Sequence, residues 1–147
     1  MRRRIVTESA DETERLGRET AAALRPGQVL ALEGELGAGK TTFVRGLARG
    51  LGLGEGVDVH SPTFVIVHEY ATRVRLYHVD AYRLESAGDE DLRLLEDCMK
   101  PDSITVIEWP ARIARILPVD TIHIRISHLG GDRRAVEWAG ADRGKAS

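Results

Sequence analysis

The sequence predicts an α/β fold with a mixed, mainly parallel central sheet and one antiparallel hairpin, and three observations point to it. Val29-Leu30-Ala31-Leu32 is a continuous apolar run, the pattern of a strand buried on both faces. A glycine-rich turn follows at once, and from Thr41 onward Val44, Leu47, Ala48 and Leu51 recur at helical spacing. Two β-rich runs, Phe64–Glu69 and Val74–Val79, are separated only by Tyr70-Ala71-Thr72-Arg73. That gap is too short for the crossover that parallel neighbours require, so the two runs should form a hairpin.

The remaining elements follow in chain order. Arg2-Arg3-Arg4 is a polar lead-in to the first strand. Ser9-x-x-Glu12 reads as a capping box, with the serine oxygen on a first-turn N–H and the glutamate reaching back. A helix therefore starts near Ala10, carries Leu16, Thr20 and Ala23 or Leu24 on one side, and stops at Arg25-Pro26-Gly27, where proline disfavours helical geometry in the residue before it. Glycines 50, 52, 54 and 56 end the second helix and open a mobile loop. Beyond the hairpin, Asp89–Cys98 is a short helix through Leu92 and Leu95, and Ile104–Ile107 is another buried strand. Thr121–Ile126 and Ala135–Trp138 form a terminal strand pair around Gly130-Gly131. Residues 1–138 are expected to make a single domain and 139–147 a polar C-terminal tail.

Composition narrows the function. The 147 residues carry 21 Lys+Arg against 23 Asp+Glu, so no broad basic field exists to hold nucleic acid by counterion release. Any nucleic-acid role would be local or carried by a partner. The longest apolar runs fall far short of the ~20 residues of a membrane span. The basic start leads into Thr7-Glu8-Ser9-Ala10-Asp11-Glu12 and not into an apolar stretch, unlike a signal peptide. The single cysteine, Cys98, has no partner for an internal disulfide, and a cytoplasmic setting is expected.

The chemistry concentrates in Gly34-Glu35-Leu36-Gly37-Ala38-Gly39-Lys40-Thr41, which fits G-x-x-x-x-G-K-[ST] between a predicted strand and a predicted helix. At ordinary residue frequencies, a chance match in a chain of this length occurs on the order of once in two hundred chains. The glycines let successive backbone N–H groups point into one concavity, and the helix N-terminus adds partial positive charge there. Such a loop cradles phosphates and predicts a three-layer P-loop NTPase fold. Lys40 is placed to span the β- and γ-phosphates, the Thr41 hydroxyl is the expected Mg²⁺ ligand, and Thr42 can reach the α-phosphate. With no N-K-x-D segment to read guanine, adenine is the default base.

A metal-bearing phosphate loop also needs a carboxylate at a nearby strand end. Asp80, after Leu76-Tyr77-His78-Val79, and Glu108, after Ile104-Thr105-Val106-Ile107, both qualify, and one can hold Mg²⁺ while the other orients water. Ser61-Pro62-Thr63 has hydroxyls suited to a switch element ordered by γ-phosphate, or else is a turn entering the strand that follows. The five histidines lack metal spacing, and His123 alternates with Ile122 and Ile124 as a solvent-face residue does. Cys98 is read as packing.

The phosphate loop with Thr42, then Ser61-Pro62-Thr63-Phe64, His78-Val79-Asp80-Ala81-Tyr82-Arg83-Leu84 and Ile107-Glu108-Trp109-Pro110, resembles the bacterial TsaE (YjeE) family in order and spacing, from about Thr7 to the Gly131–Arg134 region. The resemblance implies a small ATPase that binds ATP or ADP with Mg²⁺ and hydrolyses ATP slowly. It would work with TsaB and TsaD in threonylcarbamoylation of adenosine 37 of tRNA and support repeated rounds of modification. By the same resemblance, Thr41 and Glu108 would ligate Mg²⁺, Lys40 would bind phosphate and Asp80 would support hydrolysis. Ser61, Pro62 and Thr63 would form the switch-like loop, Trp109 would lie beside the metal site, and the Thr7–Thr13 stretch would approach the adenine side. Ala81 stands where a larger apolar residue is common in the family. Two other classes remain open on the residues alone: a small-metabolite kinase with Asp80 as base, and a nucleotide-sensing module without turnover.

Overall fold

The structure, a computed structural model, describes residues 3–35, 37–60, 67–82 and 89–139. In chain order the elements are β1 (Arg3–Thr7), α1 (Ala10–Ala23), β2 (Val29–Glu33), α2 (Lys40–Gly50), β3 (Val67–Tyr70), β4 (Arg75–Asp80), α3 (Asp89–Cys98), β5 (Ser103–Glu108), a 3-10 segment (Pro110–Ile116), β6 (Ile122–Gly130) and β7 (Arg133–Ala139). The strands form one sheet in the order β1-β7-β6-β2-β5-β4-β3. β4, β5, β2 and β6 are parallel neighbours, while β3, β7 and β1 pair antiparallel to theirs. The sheet is thus mixed, with a parallel centre and antiparallel margins, and β3–β4 is the expected hairpin.

Each face of the sheet buries a different core. Leu30, Leu32, Leu76, Ile104 and Val106 point to α1 and α2, where Leu16, Phe43, Val44 and Leu47 cover them. Val29, Val79 and Ile107 point the other way and meet Leu95 of α3 and Ile113 of the 3-10 segment. This alternation along every central strand makes the three layers, since successive strand side chains take opposite faces.

The first helix starts as its capping signal predicts, with Ser9 Oγ accepting from Glu12 N at 3.2 Å. The Glu12 carboxylate reaches one residue further back than in the standard box and accepts from Glu8 N at 2.9 Å. α1 and α2 approach closely through glycines. A Cβ on Gly46 would lie 2.0 Å from Glu14 O, and one on Gly17 would lie 2.3 Å from Phe43 O. No larger side chain fits between the two backbones, so these positions fix how α2 lies on the sheet.

Several boundaries differ from expectation. Arg3 and Arg4 belong to β1 itself, paired with Trp138 and Glu137 of β7; the guanidinium of Arg3 lies over the Trp138 ring, 5.0 Å from its centre. α2 begins at Lys40, one residue early, and β4 runs one residue further than predicted, so that Asp80 is its last residue. The expected start of the hairpin at Phe64 lies outside the described residues. β7 continues through Ala139, and 140–147 of the expected tail are not among the described residues. No helix among the described residues is long and apolar enough to cross a membrane.

Candidate functional site

The loop between β2 and α2 has the backbone its glycines permit. Gly37 and Gly39 adopt φ of 78° and 103°, values that L side chains rarely reach. Ala38 N donates to Glu35 O at 3.0 Å and Phe43 N to Gly39 O at 3.0 Å, so the chain curls once and passes directly into the helix. Thr41 and Thr42 form the first turn of α2, both half-buried. Leu36, Ser61, Pro62 and Thr63, named from the sequence as loop and switch residues, lie outside the described residues.

Lys40 turns back over the loop. Its Nζ donates to Gly34 O at 2.6 Å, stands 3.8 Å from Glu108 Oε1, and lies 4.0 Å from the centre of the Trp109 ring. Burial pushes the Lys40 amine below the ordinary lysine value, while the Glu108 and Asp80 charges pull it up. The carboxylates facing the amine oppose the effect of its burial without cancelling it.

Those carboxylates arrive together because β4 and β5 are parallel neighbours in register, with Asp80 opposite Glu108. Glu108 is in turn opposite Leu32 of β2, the strand that feeds the loop. Residues 76, 78 and 80 of β4 and 104, 106 and 108 of β5 share the face covered by α2, which brings both acidic groups toward Lys40. Burial raises the Asp80 carboxyl above its ordinary value. The Tyr82 N–H, donating to Oδ1 at 2.9 Å, opposes that rise, the Glu108 charge adds to it, and His78 and Lys40 oppose it.

Trp109 follows Glu108 with φ 58° and ψ 52°, the one non-glycine residue at positive φ among the described residues. Such a backbone costs on the order of 1–3 kcal/mol and survives where its surroundings hold it. Here Pro110 follows it, and its ring is fixed between Lys40 and Tyr82, whose ring centre is 5.0 Å away. A cleft of about 450 Å³ adjoins the loop on this side, lined in part by Glu33, Glu35, Trp109, Arg112, Arg125 and His128.

Thr7 is the last residue of β1 and Thr13 lies in the first turn of α1. Both are buried, and their hydroxyls are 2.7 Å apart. Thr7 lies opposite Arg134 in the β1–β7 pairing. The Arg134 guanidinium donates to Gly37 O at 3.2 Å and to Gly131 O at 2.8 Å, which pins the loop to the β6–β7 hairpin. The sequence assigned no site role to Arg134 or to His78, whose Nε2 is 2.5 Å from Glu108 Oε2. Nothing local marks either residue: Arg134 meets the loop from 97 positions away, and His78 meets Glu108 from 30.

Among the described residues, no group of three His, Cys, Asp or Glu side chains could hold a metal by itself. Magnesium does not need one, because beside phosphates it takes one or two protein oxygens and keeps several waters. The Thr41 hydroxyl and the Glu108 carboxylate are hard oxygen donors of the kind it uses. His123 is exposed on its strand, as its alternation predicts, and Cys98 is buried with its Sγ donating to Leu94 O.

A parallel-centred sheet with this strand, loop and helix at its middle defines a P-loop α/β protein. The family described as Threonylcarbamoyl adenosine biosynthesis protein TsaE matches residues 7–136. The tRNA threonylcarbamoyladenosine biosynthesis protein TsaE of Bacillus subtilis is 43% identical, covering 90% of this chain and 82% of that protein. The protein of the same name from Treponema pallidum is 41% identical, covering 92% and 99%. Among solved structures, the crystal structure of YdiB from Bacillus subtilis superposes with a TM-score of 0.78 at 33% identity, covering 99% of this chain and 90% of that one. The chain belongs to the TsaE family, and its role lies in tRNA threonylcarbamoyladenosine biosynthesis.

Proposed function

We propose that this chain is the ATP-binding, slowly ATP-hydrolysing component of that pathway, that residues 1–138 act as its working unit, and that it works with TsaB and TsaD in the cytoplasm and reaches tRNA through them. The observation that carries this reading is the placement of Lys40, held by Gly34 O and facing Glu108 at the N-terminus of α2. There the loop N–H groups and the helix terminus would receive the phosphates of ATP, and Lys40 would exchange the Gly34 carbonyl for a phosphate oxygen. Thr41 and Glu108 would hold Mg²⁺, which neutralises charge on the phosphates. Asp80, half-buried one strand further out, would orient water. Glu35, Leu36, Gly37, Ala38, Gly39 and Thr42 would line the phosphates, with Thr7 and Thr13 shaping the wall toward adenine. Ser61, Pro62 and Thr63 would respond to the γ-phosphate, and Trp109 would screen Lys40 from solvent.

The deciding experiment compares ATP hydrolysis by the purified chain and Lys40→Ala, alone and with TsaB plus TsaD. A slow rate that rises with the partners and vanishes in the variant is the expected result; a rate indifferent to the partners overturns the partnership. The cleft beside Trp109 favours one second reading, a small-metabolite kinase, because it leaves room for an acceptor. A phosphorylated product forming one for one with ADP would establish it.

A further inference from the structure

His78 is wholly buried, at 0% exposure, in the layer between the sheet and α2. Its neighbours along β4, Leu76 and Val79, are equally buried, and a leucine or isoleucine would fill the space without desolvating two ring nitrogens. One of those nitrogens, Nδ1, is buried with no hydrogen-bond partner among the described residues. Native folds seldom leave such an atom unsatisfied, and it calls for a reason beyond packing. The other nitrogen supplies one. Nε2 lies 2.5 Å from Glu108 Oε2, and since a carboxylate only accepts, Nε2–H donates.

The contact splits the two oxygens of Glu108. Oε2 is taken by His78, and Oε1 is the oxygen facing Lys40 at 3.8 Å. A glutamate has three side-chain torsions, and this bond fixes the last of them, which decides which oxygen faces the phosphate loop. The strand register makes the contact possible: His78 is opposite Val106, so its ring lies diagonally beside the Glu108 side chain on the same face. We propose that His78 is a positioning residue that holds Glu108 by Oε2 so that Oε1 is presented, already oriented, to a divalent cation on the loop. Outer partners of this kind tune metal affinity about 10-fold to 100-fold.

The inference rests on the proposed metal role of Glu108, and the test separates the two. Calorimetric titration of the full chain with ADP, at stepped Mg²⁺ concentrations and in excess chelator, gives a Mg²⁺ midpoint and a metal-free affinity. His78→Leu is expected to raise the Mg²⁺ midpoint about tenfold or more while metal-free ADP affinity stays within about twofold. His78→Gln, whose Nε2–H can reach Oε2, is expected to restore the midpoint to within about threefold of the native chain. An unchanged midpoint in His78→Leu, or an equal loss of metal-free and metal-bound affinity, overturns the proposal. Glu108→Gln is the reference: if it also leaves the midpoint unchanged, the metal reading of Glu108 fails, whereas a shift there without one in His78→Leu removes only the role of His78. Should His78→Leu fail to fold, His78→Gln is compared with His78→Asn, which is one bond too short. Equal midpoints in that pair overturn the proposal.

Discussion

The ends of β4 and β5 lie side by side and each carries a carboxylate, yet they are not equivalent. Glu108 is 3% exposed, bonded to His78 and facing Lys40, on the strand next to the one that feeds the phosphate loop. Asp80 is one strand further out and only half-buried, and it accepts a hydrogen bond from the Tyr82 N–H. The difference arises from distance: adjacent strands are about 4.8 Å apart, so each step from β2 removes a side chain by that much from the loop. Two residues of the same chemistry thereby acquire an inner and an outer position, the difference on which their proposed metal and water roles rest.

The sharpest way to break this comparison is to remove each charge separately. Glu108→Gln should lower ATP hydrolysis about a hundredfold, because it strips the inner position and leaves the Lys40 ammonium without its closest carboxylate. Asp80→Asn should lower turnover about tenfold with nucleotide and Mg²⁺ affinity kept within about threefold, the pattern of a group acting after binding. Equal losses in both affinity and turnover would erase the distinction. Steady-state kinetics and equilibrium binding on the two variants decide it.

Trp109 sharpens the inner side. Replacing the ring in Trp109→Leu should cost about 1 kcal/mol of cation–π attraction on Lys40, read as roughly a fivefold fall in hydrolysis, and Trp109→Phe should recover part of it. The smallest expected effect concerns stability at the outer side. Burial raises the folded Asp80 carboxyl, so the folded chain holds that proton to higher pH than the unfolded chain does. The contribution of this group to stability is fully present below the unfolded value and is lost as pH rises through the folded one. Asp80→Asn cannot ionise, so thermal melts should show it more stable than the native chain near about pH 8, with the gain fading by about pH 4. A gain that grows toward acid would contradict the burial of Asp80.

Much of the architecture was legible because its signals are local. The Ser9 cap, the Val29–Leu32 run, the glycines of the loop and the short gap at Tyr70–Arg73 each act within a few residues of their own position, and the helix, strand, turn and hairpin follow. The margins of the sheet were less legible. Ile5 and Val6 of β1 pair with Val136 and Ala135 at the other end of the chain, which no local pattern announces. The close approach of α1 and α2 likewise depends on glycines from two helices, Gly17 and Gly46, each unremarkable alone. Gly46→Ala tests that contact: overpacking of this kind typically costs 1–3 kcal/mol, so about 3 kcal/mol of stability in denaturant titration is expected here.

What the sequence determined by itself is the phosphate loop, since its backbone course is a property of glycine at 37 and 39 and its lysine is carried on the next turn of chain. Its residue pattern also named Asp80 and Glu108 as strand-end carboxylates, and only the family resemblance divided them into metal and hydrolysis roles. The tertiary structure shows the physical basis of a ranking, by setting β5 and not β4 beside β2, and only it brought His78 onto Glu108 and Arg134 onto Gly37. The physical reason is that backbone conformation is decided within a few residues, whereas burial, charge pairing and hydrogen-bond partners are decided by which strands become neighbours.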